Sequence, residues 1–191
     1  MLQSRQMVAN ADKIVEQWYA LRVTYQRELI ASAALDKLGI ENYVPSRTVK
    51  VRLSSGRNVY RRRALVHNYI FIRSDRATID RIKQTALPYL RYVMVTIDGT
   101  YQPMVVPDVQ MQSFIRVTAS EDEHVALLAE ESVDLRCGQR VRVTGGPFQG
   151  IEGILTKIKG LFRRKVVVRI EGVAIVSAPT IDSRLIEPIE G

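Results

Sequence analysis

Apolar and polar positions along the first 119 residues follow two alternating patterns. Short apolar runs, rich in aromatic and β-branched residues, predict strands at 18–23, 41–44, 49–53, 65–72 and 91–95. Between them, apolar residues at helical spacing predict one helix that ends at Gly39, a second capped by Ser74 and a third that begins at Pro107. Strands interleaved with helices predict a mixed α+β domain in which helices pack on a sheet.

The pattern changes in the last third of the chain. Residues 139–191 show short β-rich runs separated by glycines and no helical spacing. These runs are 140–143, 151–158, 165–170 and 173–176. Short strands joined by glycine turns predict a small β-barrel. Gly153 lies inside one run, which indicates a bulge or the close approach of another backbone.

Charge divides the chain at the same places. Residues 1–119 carry 18 basic and 9 acidic side chains, residues 120–135 carry six acids and no base, and residues 136–191 carry 10 basic and 5 acidic side chains. We therefore predict an N-terminal extension (1–17), an α+β domain (18–119), an acidic linker (120–135) and a barrel (136–191), the two domains having separate cores. Two basic domains favour a polyanionic partner such as nucleic acid, because phosphate neutralisation drives non-specific affinity.

Residue inventory argues against several protein classes. No apolar stretch reaches the roughly 18 residues of a membrane helix, and the first 17 residues lack the apolar core of a secretory signal. The single Cys137 forms no internal disulfide, which fits the cytoplasm, and with two histidines it does not complete a four-ligand zinc site. His67 lies in an apolar run that favours a structural role, and the glycine-rich stretch 145–150 lacks the Lys and Ser/Thr of a phosphate loop. We expect no enzymatic activity, cofactor, metal or membrane partner.

A basic segment stands out in the first domain. Residues 47–63 contain seven basic side chains, among them Arg61, Arg62 and Arg63, and no acid. The segment has turn-forming residues at 54–58, so it predicts a hairpin with Lys50 and Arg52 on one face. Such a hairpin suits a nucleic-acid backbone or an acidic protein surface. A solvated hairpin whose charges prevent edge-to-edge aggregation is the alternative.

Three segments together resemble one protein family. Residues 138–153, GQRVRVTGGPFQGIEG, closely resemble the KOW motif, which lies in an SH3-like barrel. Residues 18–21, WYAL, resemble the start of the N-terminal domain of the transcription factor NusG, and residues 65–72, LVHNYIFI, resemble its central strand. The three occur in the family's order, so the resemblance extends over residues 18–188. It implies a NusG-type α/β sandwich domain followed by a KOW barrel.

A closer resemblance is to the UpxY proteins. It rests on residues 18–28, 67–68, 87–92, 105–108 and 143–148. UpxY proteins are specialised NusG paralogues of Bacteroides-type bacteria, encoded at the head of capsular polysaccharide operons. The resemblance implies an operon-restricted elongation and antitermination factor that binds RNA polymerase. The alternative is a KOW-containing ribosome- or RNA-binding protein, which leaves the N-terminal domain unexplained.

The resemblance also implies which residues contact the polymerase. An apolar patch of NusG-like factors docks on the clamp helices of the largest subunit, and Tyr69, Phe71 and Arg22 match its positions. Tyr69 and Phe71 share one side of a strand by alternation, as a docking patch requires. That both belong to the core is the alternative. Asp80 and Arg81 match the part of the second helix that touches the polymerase gate loop.

Further partners are implied for both domains. Specialised members read the exposed non-template DNA strand, for which Tyr25, Arg27 and Lys83 are the candidates here, and nascent RNA is a further possible ligand. The family's barrel contacts Rho or a small-subunit ribosomal protein, and Phe148 and Ile151 match two of those positions. Glu171 stands where housekeeping members have an aromatic residue, a departure that bears on both contacts, and specialised paralogues are expected to lose Rho recruitment. We expect a monomer.

Overall fold

The computed structural model describes residues 15–120, 122–136 and 138–190. Most of the predicted N-terminal extension, the acid Glu121 and the thiol of Cys137 lie outside these ranges. Within them, fifteen strands and three α-helices follow in the order β1 (Gln17–Val23), α1 (Glu28–Lys37), β2 (Asn42–Tyr43), β3 (Ser46–Arg52), β4 (Asn58–Ala64), β5 (Tyr69–Ser74), α2 (Arg76–Thr85), β6 (Leu90–Tyr92), β7 (Met94–Ile97), β8 (Thr100–Pro103), β9 (Val105–Val106), α3 (Asp108–Thr118), β10 (Ala126–Leu128), β11 (Gln139–Val143), β12 (Glu152–Thr156), β13 (Lys165–Ile170), β14 (Ala174–Ser177) and β15 (Ile186–Pro188). The predicted α+β fold class is confirmed.

The N-terminal half is built on an antiparallel sheet. Its strand order is β2-β5-β1-β6, and β9 also pairs with β1. Alternate residues of β1 and β5 point to opposite faces, so each strand serves two cores. Tyr19, Leu21 and Ile70 face a cluster that includes residues of α1 and α2. Trp18 and Phe71 face a cluster that includes residues of α3.

Local chemistry fixes the ends of the helices. Helix α1 is followed by Gly39, whose positive φ of 68° ends it as predicted. The cap of α2 differs from the prediction, because Ser74 is the last residue of β5 and the Asp75 carboxylate accepts the Thr78 N–H at 2.9 Å. Asp75 suits the cap position better than a serine does, since a carboxylate at a helix N-terminus also interacts favourably with the helix dipole.

Two hairpins extend from the first sheet. Strands β3 and β4 pair from Ser46–Ala64 to Arg52–Asn58, which confirms the predicted basic hairpin. Strands β7 and β8 are joined through Asp98 and Gly99, which both have positive φ. Two such residues between antiparallel strands form the tight turn that suits their twist.

The C-terminal half is a six-stranded antiparallel sheet of order β10-β14-β13-β12-β11-β15. Its hydrogen-bond ladder ends at β10 and β15. Gly153 lies in β12, where an added Cβ would stand 2.5 Å from the Val167 carbonyl oxygen. The predicted close approach of another backbone at this glycine is therefore confirmed.

The predicted acidic linker is wrong for most of its length. Residues 126–128 form β10, which pairs with β14, and Val125 and Val133 are buried. The five acids of this segment that the structure describes, Asp122, Glu123, Glu130, Glu131 and Asp134, are compatible with the sheet because they are all exposed. The C-terminal unit therefore begins before residue 126.

The expectation of two separate cores is also wrong. One cluster of buried residues joins Trp18, Phe71 and Phe114 of the N-terminal half to residues such as Val141 and Val168 of the C-terminal sheet. Helix α3 lies between the halves, with Met111, Phe114 and Val117 fully buried. The helix thus belongs to the core of both halves.

Candidate functional site

A row of three side chains crosses the first sheet on the side of α3. Tyr69 of β5 pairs in register with Arg22 of β1, and Arg22 pairs with Arg91 of β6. Residues directly opposite in neighbouring antiparallel strands present side chains to the same face. The Arg22 guanidinium lies 5.5 Å from the centre of the Tyr69 ring, within cation–π range. Both arginines are exposed and Tyr69 is half-buried, so the row is a polar surface with an aromatic end.

Phe71 does not belong to this surface. It lies on the same face as Tyr69, as alternation predicted, but it is 0% exposed. Its ring packs edge-to-face on Phe114 of α3 at 5.5 Å. The prediction that Phe71 is part of an exposed docking patch is therefore wrong, because α3 covers it. Phe71 is a core residue that lies beneath the row.

The candidates on α2 lie in the helical layer that covers the opposite face of the sheet. Asp80 pairs with Arg76 at 3.8 Å and with Lys83 at 3.3 Å, and Arg81 is exposed. The Lys83 ammonium also lies 4.0 Å from the centre of the Tyr92 ring. Burial and the nearby Asp80 charge raise the pKa of the Tyr92 hydroxyl. The structure does not bring Asp80 and Arg81 to the row, and Lys83 is engaged by Asp80 of α2 and by Tyr92 of β6.

Tyr25 and Arg27 lie together in the connection between β1 and α1. The Arg27 guanidinium stands 5.4 Å from the Tyr25 ring centre and 5.5 Å from that of Tyr89. Tyr25 is 83% exposed. We call these three residues the aromatic–arginine cluster. Two aromatic rings that each lie near the same guanidinium suit a stacked base and its phosphate.

The backbone of this cluster is strained. Tyr25 and Gln26 have φ of 60° and 53°, a region that residues with a Cβ rarely adopt. Asn68, itself at φ 66°, holds the connection by accepting the Gln26 N–H on its side chain and the Val23 N–H on its carbonyl. Such strain persists only where surrounding structure imposes it, and it is frequent at functional sites. Next to this support, His67 Nδ1 lies 3.5 Å from the buried Glu28 carboxylate, in agreement with a structural role.

The basic hairpin separates its charges onto two faces. Arg47, Arg61 and Arg63 lie on one face, and Lys50, Arg52, Tyr60 and Arg62 lie on the other. Arg61, Arg62 and Arg63 are all exposed, and so is Tyr60. Arg62 is held by a 2.6 Å hydrogen bond from its Nε to the Ser46 hydroxyl. The three consecutive arginines therefore do not form one contact surface, since Arg62 points away from its neighbours.

The predicted partner residues of the C-terminal unit lie at the glycine-rich turn between β11 and β12. Ile151 is 1% exposed and belongs to the shared core, so in this arrangement it is not accessible for the partner contact predicted for it. Phe148 is half-buried and packs against the same core. Glu171 is exposed, and its carboxylate lies 3.7 Å from Arg169. In this arrangement the turn faces α3.

Polar contacts attach the C-terminal sheet to the first half. The Ser113 hydroxyl of α3 donates to the Val109 carbonyl and accepts the Glu152 N–H, both at 2.9 Å. Side chains of α3 also donate to carbonyls of the C-terminal unit, Gln110 to Arg169 of β13 and Arg116 to Gln149 of the turn before β12. One contact reaches the row itself, because the Tyr69 hydroxyl donates to the Gly172 carbonyl at 3.4 Å. The C-terminal unit therefore touches the aromatic end of the row.

A family model described as transcription termination factor NusG matches residues 16–115. The chain belongs to the NusG family. NusG-family proteins are transcription factors that bind RNA polymerase, and they are not enzymes. A solved structure that addresses domain interaction in Thermotoga maritima NusG aligns with 92% of this chain and 98% of that one, at 20% identity and a TM-score of 0.40. No curated protein matches the sequence.

The NusG match includes the row, the aromatic–arginine cluster and the basic hairpin, and it ends within α3. Sequence reasoning missed Arg91 and Tyr89, although the UpxY resemblance of residues 87–92 contains both. The signal for Arg91 was the strand predicted at 91–95, whose register with β1 only the structure gives, whereas Tyr89 precedes that strand. Among the described residues, no helix is long and apolar enough to cross a membrane, and no group of three or more His, Cys, Asp or Glu side chains could hold a metal ion.

Proposed function

We propose that this NusG-family protein is an operon-restricted elongation and antitermination factor of the UpxY type. It binds RNA polymerase in the cytoplasm as a monomer and promotes read-through of a capsular polysaccharide operon. Family membership supports the polymerase as partner, and the resemblance of residues 18–28 and 87–92 to UpxY proteins supports the restriction to one operon. One observation carries the proposal. The row Tyr69–Arg22–Arg91 forms a polar and aromatic surface on the face where the family's docking patch is expected.

The chemistry of the row suits the clamp helices of the largest subunit. Arg22 and Arg91 offer guanidinium groups to acidic side chains of a helical surface, and Tyr69 offers a ring, the combination enriched at interaction hot spots. Phe71 supports the row from below, because its buried ring fixes the strand that carries Tyr69. Arg81 is exposed on α2 and would make a second, separate contact with the gate loop, with Asp80 orienting its neighbours Arg76 and Lys83.

The C-terminal unit would compete with the polymerase for the Tyr69 end of the row. It contacts Tyr69 through the Gly172 carbonyl and packs on α3 beside the row. A clamp helix seated over Tyr69 must displace Gly172, so polymerase binding is weakened by the free energy of that attachment. Competition of this kind fits a factor that acts only where a leader sequence adds affinity.

Nucleic-acid contacts would come from two places. The aromatic–arginine cluster, with Tyr25 the most exposed, would hold a base and a phosphate of the displaced non-template strand. In the basic hairpin, Arg61 and Arg63 share a face that would follow a phosphate backbone, while Arg62 contributes to the Tyr60 face. Lys83 would contribute its charge at longer range, since Asp80 and Tyr92 hold it.

The C-terminal unit would act as a KOW module toward the translation machinery. Phe148 is the one of its two predicted contact residues that is partly accessible while the unit is packed on α3. Release from α3 would expose the turn and allow contact with a small-subunit ribosomal protein. The acid at Glu171 disfavours recruitment of Rho there.

The test is in vitro transcription through a terminator, with the operon's own leader or an unrelated leader upstream. A variant with Ser113→Cys and Glu152→Cys in a Cys137→Ser background is designed to lock the C-terminal unit by a disulfide, since the Ser113 hydroxyl contacts the Glu152 N–H at 2.9 Å, and formation of the disulfide is first checked by titration of free thiols. We expect the chain to increase read-through on its own leader only, and the oxidised variant to lose activity that the reduced variant retains. Equal read-through on both leaders would refute operon restriction. Equal activity of the oxidised and reduced forms would refute the competition.

A further inference from the structure

The loop between β12 and β13, residues 157–164, carries an unused aromatic side chain. Phe162 is 101% exposed, and its neighbour Leu161 is also exposed. A phenylalanine in this state buries none of its ring against the chain and gains nothing for folding. We call this loop the C-terminal tip. It lies outside the range of the family match and has no part in the surfaces described above.

The tip is strongly basic. Lys157, Lys159, Arg163 and Arg164 lie on it, Lys165 follows at once, and residues 157–165 contain no acid. Within the part of the chain that the structure describes, none of the five lies within 4.0 Å of a carboxylate oxygen. Their charge is therefore available to a partner, and the sign of that partner must be negative.

Backbone hydrogen bonds fix the conformation of the C-terminal tip. Thr156 pairs with Lys165 at its base, and the Lys159 N–H donates to the Ser132 carbonyl at 2.9 Å. Gly160 has a φ of 83°, and the Leu161 N–H returns to the Ile158 carbonyl at 3.0 Å, which forms the turn before the aromatic residue. On the side of Arg163 and Arg164 the tip borders a groove of about 670 Å³.

We propose that the C-terminal tip binds single-stranded nucleic acid. Phe162 stacks on a base, and Arg163 and Arg164 bind the phosphates on either side of it. An unpaired aromatic ring beside unpaired cations is the combination by which proteins hold single strands without reading sequence. A duplex offers no free base face to Phe162. An anionic lipid surface would match the charge but would gain little from one phenylalanine and one leucine.

The binding test uses the full chain with Tyr25→Ala, Arg27→Gln, Arg61→Gln, Arg62→Gln and Arg63→Gln, so that the aromatic–arginine cluster and the basic hairpin contribute less to the signal. The probe is a fluorescein-labelled 15-nucleotide oligouridine, followed by anisotropy in the absence of polymerase. Loss of one stacked base at Phe162→Ala should weaken binding about 5- to 150-fold. Phe162→Tyr should bind as the parent does, and Tyr101→Ala, which removes another exposed aromatic side chain, is the matched control.

A salt titration and a competition complete the test. The double variant Arg163→Gln/Arg164→Gln should lower the slope of log K against log salt by about 1.4, since each phosphate contact on a single strand contributes about 0.7. Oligothymidine in place of oligouridine shows whether the 2′-hydroxyl matters, and a duplex of equal length should not depend on Phe162. Unchanged binding of Phe162→Ala would overturn the proposal. So would Phe162-dependent binding to vesicles with 30% anionic lipid in the absence of such binding to the oligonucleotide.

Discussion

Replacement of Phe71 by Ala separates a core residue from a docking residue. The ring is fully buried, lies in register between Ala20 and Tyr43, and packs edge-to-face on Phe114. Removing a buried phenylalanine side chain costs about 3–5 kcal/mol, from lost transfer free energy and the cavity that remains. The aromatic pair accounts for about 0.5–1.5 kcal/mol of this. Against a total stability of about 5–15 kcal/mol, this is a large fraction of the free energy of unfolding, so the urea midpoint should fall markedly.

The assay is urea denaturation followed by tryptophan fluorescence. Trp18, the single tryptophan of the chain, is buried in the same cluster as Phe71 and therefore reports on it directly. The matched variant is Tyr69→Ala, which removes a half-buried ring with one hydrogen bond at 3.4 Å and should cost about 1 kcal/mol. A double-mutant cycle with the milder variants Phe71→Leu and Phe114→Leu, which remove the ring pair but keep most of the buried volume, should give a coupling energy of about 0.5–1.5 kcal/mol. A Phe71→Ala variant that keeps wild-type stability but loses polymerase binding would refute this reasoning.

Three further predictions concern the C-terminal unit and the helix cap. By NMR, a fragment of residues 122–190 should give better dispersed amide-proton signals than one of residues 136–190, because the shorter fragment lacks β10. Gly153→Ala should destabilise the chain by about 1–3 kcal/mol in urea, since the new Cβ would stand 2.5 Å from the Val167 oxygen. Hydrogen bonds from the side chain and backbone of Thr78 lower the pKa of Asp75, so its stabilising effect is present above the ordinary carboxyl pKa and is lost as pH falls through the lowered value. Asp75→Asn should remove that part of the acid dependence of the thermal midpoint.

The N-terminal fold was largely predictable because its strands have strong local signals. The apolar run 65–72 was predicted as one strand, yet β5 begins only at Tyr69. Asn68 adopts a positive φ, which asparagine tolerates, and the chain turns before the strand starts. The apolar residues before that turn pack against the core without strand pairing, so hydrophobicity alone does not locate the strand start.

The shared core of the two halves was not predictable from the local pattern of apolar and polar residues. Helix α3 was expected to have one apolar face, but Ser113 and Thr118 are buried as well. Their hydroxyls are satisfied by tertiary partners, the Glu152 N–H and the Tyr43 hydroxyl. A single sequence does not reveal such partners, because they are distant along the chain.

The same limit explains the errors at the candidate site. Alternation correctly assigned Phe71 to the face of Tyr69, but the coverage of that face by α3 is a tertiary property. Ile151 matches a partner-contact position in the sequence, but it is buried in the shared core, and this burial is likewise a tertiary property. The acids of residues 120–135 predict a linker, but the same segment contains Val125 and Val133, which are buried and hold it to the C-terminal unit.

The most direct test of the account is the affinity of the full chain for RNA polymerase core after charge reversal in the row. The variant Arg22→Glu/Arg91→Glu should bind at least about 30-fold more weakly, as loss of a hot spot of 2 kcal/mol or more requires. The charge-matched control is Arg140→Glu/Arg184→Glu, which changes two exposed arginines of the C-terminal unit. The account predicts that this control binds within a few-fold of wild type. Equal loss in both variants, or full affinity of the row variant, would contradict it.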